Sequence, residues 1–202
     1  MNELYLDQLL NINTREGYKS SNDSLHYHPY EPTPYYALDV LVQHYEVKQS
    51  DRIVDFGCGK GRLNFYFNYY FQSTVVGVEM NEEFYFQAIQ NKTRYLENRK
   101  NSMDSLLFHC CLAQEYQINR LDNRFYFFNP FSIQIFMHVI NNILQSLEKY
   151  EREVELILYY GSKEYIHYLE YQTAFKLKDE IKIPGLSIKN PYERFVIYHF
   201  SL

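Results

Sequence analysis

The sequence predicts an α/β domain built on a doubly wound, mainly parallel sheet, and three observations carry that expectation. β-branched runs alternate with amphipathic stretches along most of the chain. The first such run, Arg52-Ile53-Val54-Asp55-Phe56, ends in a glycine turn that opens a helix. The last two strands follow one another without a helix between them, so they should pair antiparallel. The 202 residues, 46% apolar and 22% charged, suit one packed core and exclude a disordered chain.

Taken in order, residues 1–34 read as an irregular N-terminal arm. Turn formers cluster at Asn11-Ile12-Asn13-Thr14 and from Lys19 to Ser24, and Pro29, Pro32 and Pro34 follow. The domain proper is placed at 35–202. Thr33 as N-cap and Pro34 at the first helical position introduce a helix with apolar positions Tyr36, Leu38, Leu41, Val42 and Tyr45. After the first strand, a helix runs from Gly61 to about Phe71 and a second strand from Thr74 to Glu79. Asn81 then caps a helix that opens with Glu82 and Glu83 and ends near Asn98. Leu106–Leu112 and Phe125–Phe128 are further strands, and Ile133–Leu147 is a helix on the spacing of Ile133, Phe136, Met137, Ile140, Ile143, Leu144 and Leu147. Val154–Tyr160 is a fifth strand and Lys163–Tyr171 a short helix. Phe175–Ile183 and Arg194–Phe200, joined across Pro184-Gly185, complete seven strands.

Composition narrows the function classes. A net charge of −5 argues against a surface that tracks phosphates, although a local basic patch stays open. No apolar run reaches the roughly 20 residues that cross a bilayer, and the acids near Met1 do not suit a signal peptide. A cytoplasmic protein without membrane contact is expected. The three cysteines, with Cys110 and Cys111 adjacent, are expected to be free thiols. His26 and His28 stand two apart without a supporting constellation, so no metal is expected. The 22 tyrosines and 15 phenylalanines, with no tryptophan, are explained as well by an A- and T-rich codon bias as by a stacking surface.

The informative segment is Asp55-Phe56-Gly57-Cys58-Gly59-Lys60-Gly61. Alternate glycines let the chain turn tightly off a strand and let a bulky ligand lie against bare backbone. Glu79 ends the next strand, 24 residues after Asp55, where a carboxylate can accept both hydroxyls of a ribose. The alternative is a plain turn beside a solvated strand end.

This segment matches the D-x-G-x-G-x-G motif and, with Val76-Gly77-Val78-Glu79, resembles the first two motifs of the class I S-adenosylmethionine-dependent methyltransferases. The dinucleotide fingerprint G-x-G-x-x-G differs, because position 62 is Arg. The resemblance, from about Tyr30 onward, implies a Rossmann-like seven-stranded sheet of order 3-2-1-4-5-7-6, with S-adenosyl-L-methionine as cofactor. It implies that Asp55 faces the methionine ammonium, that Gly57, Cys58, Gly59 and Gly61 lie along the cofactor, and that Glu79 holds the ribose. Lys60 is expected to face solvent. Leu112 stands where that family often has an acid for adenine, which leaves Ala113 and Gln114, with Met80 over the base or in the core.

Asn129-Pro130-Phe131, at the end of the fourth strand, is similar to but shorter than the N-P-P-Y/F signature of methyltransferases acting on amino groups. The resemblance implies that Asn129 orients the acceptor beside the cofactor, with Pro130 and Phe131 against a planar substrate; an ordinary Asn-Pro turn is the other reading. Tyr27–Tyr35 resembles the proline-bearing stretch that closes over the methionine end in some relatives, so Tyr30, Thr33 and Tyr35 are lid residues or simply packing ones. The acidic chain favours a protein side chain or a small molecule as methyl acceptor. A nucleic-acid adenine amine is the alternative, and a silent cofactor-binding module is a further one.

Overall fold

The computed structural model describes residues 3–15, 30–97, 99 and 103–200. The turn formers from Lys19 to Ser24, His26, His28, Pro29 and the helix end at Asn98 lie outside them. Seven strands form one sheet of order β3-β2-β1-β4-β5-β7-β6, as the resemblance implied. The strands are β1 (Arg52–Phe56), β2 (Thr74–Glu79), β3 (Leu106–Cys110), β4 (Arg124–Phe127), β5 (Val154–Tyr159), β6 (Lys176–Lys182) and β7 (Arg194–Phe200). The first five are parallel, and β7 runs antiparallel to both β5 and β6.

β1 is central and buried on both faces, which is why Ile53 and Val54 are both apolar without alternation. One face is covered by α1 (Glu3–Leu10), α2 (Tyr35–His44), α3 (Arg62–Phe71) and α4 (Glu82–Leu96). The other is covered by α5 (Ile133–Lys149) and α6 (Lys163–Gln172). Asn81 caps α4 as expected, its side chain accepting from the Glu83 and Phe84 N–H groups. The register sets Phe56 beside Val78 and Phe127, so the ends of β1, β2 and β4 open on one edge. In open α/β sheets that carboxyl edge is where ligands sit.

Residues 3–10, expected to be irregular, form α1. Leu6 and Leu10 enter the core, each gaining about 1.5–3 kcal/mol from burial as an upper bound. The flank that α1 covers explains a second correction. α2 begins at Tyr35, one residue late, and buries Tyr35, Ala37, Leu38, Val40 and Leu41, whereas Tyr36 is exposed. Thr33 does not cap it; its hydroxyl pairs with the Tyr126 hydroxyl at 2.7 Å.

Candidate functional site

The turn after β1 is fixed by backbone. The N–H groups of Gly57 and Cys58 both donate to the Val78 carbonyl, at 2.9 and 3.1 Å, which ties the loop to the neighbouring strand. Gly59 N–H donates to Glu79 Oε2 at 2.9 Å and Asn81 N–H to Glu79 Oε1 at 2.8 Å. Glu79 is therefore held between the glycine loop and the start of α4. An ionised carboxylate offers about four lone-pair sites, so Glu79 keeps room to accept from a further donor.

Asp55 and Glu79 are both buried, at 4% and 8% exposure. Asn64, from α3, donates to Asp55 Oδ2 at 3.0 Å and accepts from the Gly77 N–H at 3.2 Å in the amide orientation that satisfies both. Burial, and then repulsion from Glu79, push the Asp55 carboxyl well above its ordinary value. Burial also raises Glu79, opposed by the N–H groups of Asn81, Gly59 and Met80. Two buried carboxyls at one strand edge favour a cationic ligand. The Cys58 thiol beside them is likewise raised by burial and stays protonated. Cys58, Cys110 and Cys111 are free thiols.

The loop is covered by side chains. A Cβ on Gly59 (φ +53°) would stand 2.2 Å from Tyr30 Cε2, and one on Gly57 (φ +79°) 2.8 Å from Pro130 Cβ. The Tyr30 ring also meets Phe84 at 4.8 Å between centroids, and its hydroxyl donates to the Thr14 carbonyl at 2.8 Å. Lys60, expected in solvent, is only 4% exposed, with Nζ 5.5 Å from the centre of the Tyr30 ring. Its burial follows from the packing of Tyr30 and from α4, where Asn91 donates to the Lys60 carbonyl. Tyr35 is fully buried under the Arg62 guanidinium, 4.4 Å away, and donates to Asp7 at 2.6 Å. That position serves packing more than closure.

Sequence reasoning missed the group that fastens this region. Arg62 donates to Glu3 at 2.5 Å and to the Thr14 hydroxyl at 2.7 Å, while Thr14 is bonded to Asp7. Only the position of Arg62, directly after Gly61, could have signalled that the N-terminal segment is latched to the loop.

Beyond Glu79, Met80 is exposed, and the Cys111 N–H donates to the Glu79 carbonyl at 3.2 Å. The end of β3 thus lies beside β2. The 3₁₀ turn Ala113–Glu115 follows, with Ala113 buried, Gln114 half-buried and the Gln114 carbonyl accepting from Asn142 at 2.8 Å.

At the end of β4, Asn129 has φ +41° and Pro130 lies on Gly57. Phe131 corrects the expectation of a stacking ring. It is 1% exposed, packs edge-on to Phe127, and its carbonyl accepts from the Tyr165 hydroxyl. The half-buried ring at this edge is Phe128 instead, which meets Tyr159 at 4.7 Å and Tyr160 at 6.3 Å. A second Asn-Pro-aromatic run, Asn190-Pro191-Tyr192, arrives from the β6–β7 loop and was legible in the sequence but passed over. A groove of about 500 Å³ between α5 and α6, lined by Ile133, Met137, Lys163 and His167 among others, shares no residue with the glycine loop.

This sheet order, with a glycine loop after β1 and an acid ending β2, is the architecture of the class I S-adenosylmethionine-dependent methyltransferases. Residues 35–120, somewhat under half of the chain, match a family described as a methyltransferase domain. No curated protein matches it. Among solved structures, a candidate RNA methyltransferase from Pyrococcus horikoshii is similar with a TM-score of 0.60 at 18% identity, over 99% of this chain and 98% of that one. An RNA methyltransferase from Salinibacter ruber, in complex with S-adenosyl-L-homocysteine, gives 0.53 at 16% identity, over 84% and 92%. Geranyl diphosphate C-methyltransferase from Streptomyces coelicolor, with S-adenosyl-L-homocysteine, Mg2+ and its diphosphate, gives 0.54 at 12% identity, over 81% and 76%. Those named acceptors differ widely on one fold. Among the described residues no helix is long and apolar enough to cross a membrane, and no cluster of His, Cys, Asp and Glu could hold a metal.

Proposed function

We propose that this protein transfers a methyl group from S-adenosylmethionine to a protein side chain or a small molecule at the carboxyl edge of its sheet. The observation that carries the reading is the pair of buried carboxyls, Asp55 and Glu79, on either side of the glycine turn. Their chemistry fits the cofactor: a carboxyl for an ammonium, a pinned carboxylate for a diol, and no phosphate to require a cationic clamp.

Bound there, the cofactor would supply an electrophilic methyl carbon on a sulfonium sulfur, open to the acceptor's lone pair. The residues of this chain bind and align. Asp55 balances the ammonium, Glu79 takes the ribose hydroxyls, and the bare backbone of Gly57, Gly59 and Gly61, with Cys58, lies along the cofactor. Met80, Ala113 and Gln114 flank the base. Asn129 orients the acceptor next to Pro130. Alignment of this kind supplies much of the rate of an in-line transfer. Tyr30 and Thr33, from the segment before α2, exclude water from the methionine end.

The acceptor class draws support from charge. The net charge is −5, and Glu193 is hydrogen-bonded to Tyr159 at this edge, which disfavours a phosphate backbone. A nucleic-acid amine is the second reading, favoured by Asn129-Pro130 and by relatives of similar fold named as RNA methyltransferases. Incubation of the protein with methyl-labelled cofactor and separate protein, small-molecule and RNA fractions tests both. Label in the first two supports the proposal and label in RNA alone supports the second. Cofactor binding with no label anywhere indicates a silent binding module.

A further inference from the structure

Phe127 lies opposite Leu158 in the β4–β5 ladder. Two residues further along each strand stand Asn129 and Tyr160, and both leave the sheet with left-handed backbones, φ +41° and +55°. For tyrosine this is a costly conformation, of order 1 kcal/mol or more, and such strain gathers where a side chain must be held for use. Gly161, the next residue, would have turned the chain without that cost.

What holds Tyr160 is the β6–β7 loop. Asn190 Nδ2 donates to the Tyr160 hydroxyl at 2.6 Å, and Asn190 Oδ1 accepts from the Tyr192 N–H at 3.1 Å. The rings of Tyr160 and Tyr192 are thereby set 5.4 Å apart at 30°, with Phe128 6.3 Å from Tyr160. All three rings are half-buried. Beneath them Tyr159 is locked to Glu193 by a 2.5 Å hydrogen bond. Glu193 thus stands at this edge, and the Tyr160 N–H donates to the carbonyl of the next residue, Arg194, at 3.2 Å.

We infer that Phe128, Tyr160 and Tyr192 form the wall of the acceptor site, and that the acceptor presents a planar aromatic ring without negative charge. The inference rests on the proposed function for placing the acceptor at this edge, and it narrows that reading to a ring. Fixed aromatic faces lose little entropy on binding and attract another π-face, whereas a flexible aliphatic amine gains little from them. The Glu193 carboxylate beside the rings disfavours an anionic ring.

Ligand-detected NMR on the protein saturated with S-adenosyl-L-homocysteine tests this directly. The probes are uncharged heteroaromatic amines, saturated amines of matched size, carboxylated versions of the aromatic set, and a single-stranded oligonucleotide carrying such rings. Binding confined to the uncharged aromatic set, weakened about tenfold or more in Tyr160→Ala and Tyr192→Ala with S-adenosyl-L-homocysteine affinity unchanged, supports the inference. Tyr192→Phe should keep it. Saturated amines binding as often as aromatic ones, or aromatic binding that survives both alanine variants, overturns it. Binding of the oligonucleotide alone assigns the same ring chemistry to a polymer and overturns the small-molecule source. Failure to bind S-adenosyl-L-homocysteine overturns the proposed function instead, which keeps the two failures distinct.

Discussion

The Cδ2–Cε2 edge of the Tyr30 ring lies against the backbone of Gly59, closer than any side chain at that position would permit. A ligand that rests on this backbone has to displace the ring and break its bond to the Thr14 carbonyl. Tyr30→Ala should therefore bind S-adenosyl-L-homocysteine with a faster association rate. Tyr30→Phe, which loses one hydrogen bond worth about 1 kcal/mol, should show a gain of about fivefold at most. Surface plasmon resonance on the three proteins measures this, and unchanged association in Tyr30→Ala would show that the ring does not stand in the way.

Asp55 should make both stability and cofactor affinity depend on pH. Its folded carboxyl is raised above the ordinary 3.8 by burial and by Glu79. The stability it contributes is thus complete below that ordinary value and falls as pH rises through the raised one. A bound ammonium reverses the preference, so binding releases a proton and tightens as pH climbs through the same window. Calorimetry in two buffers of different ionisation enthalpy should detect that proton, and Asp55→Asn should abolish it.

The latch around Arg62 predicts a stability effect at a residue of the loop's own helix. The Arg62 side chain is buried against Thr14, while its partner Glu3 is more than a third exposed. Arg62→Ala leaves buried polar groups without their partner and should cost about 3 kcal/mol. Glu3→Gln, at the partly solvated end of the pair, should cost under about 1 kcal/mol. Urea denaturation compares them, and equal losses would contradict a buried latch centred on Arg62.

Phe128 and Phe131 should separate function from packing. Phe131→Ala removes a core ring and should destabilise by about 3–5 kcal/mol. Phe128→Ala, at the edge, should lose methyl transfer with a smaller change in melting temperature. If Phe131→Ala keeps its stability and loses turnover selectively, the assignment of the two rings is reversed.

The contrast between those two rings shows how far the sequence could be read. The sheet was legible because its signals are local: β-branched runs, the glycine turn, Asn81 before Glu82 and Glu83. The carboxyls Asp55 and Glu79 were legible because they stand at fixed offsets from that turn. What stayed hidden depends on contacts distant in sequence. Nothing near Leu6 and Leu10 announces that they reach the core, and Lys60 is buried by residues about 30 positions away on either side, Tyr30 and Asn91. The choice of Phe128 over Phe131 turns on which way the chain leaves β4, a matter of the left-handed Asn129 between them.

The central claim is that the loop from Asp55 to Gly61, together with Glu79, holds S-adenosylmethionine. Isothermal titration with S-adenosyl-L-homocysteine tests it most directly. The account predicts saturable one-to-one binding, weakened at least tenfold in Asp55→Ala and in Glu79→Gln, with both variants shown to be folded by circular dichroism. A folded wild-type protein that gives no heat, or variants that bind as tightly as the wild type, would contradict it.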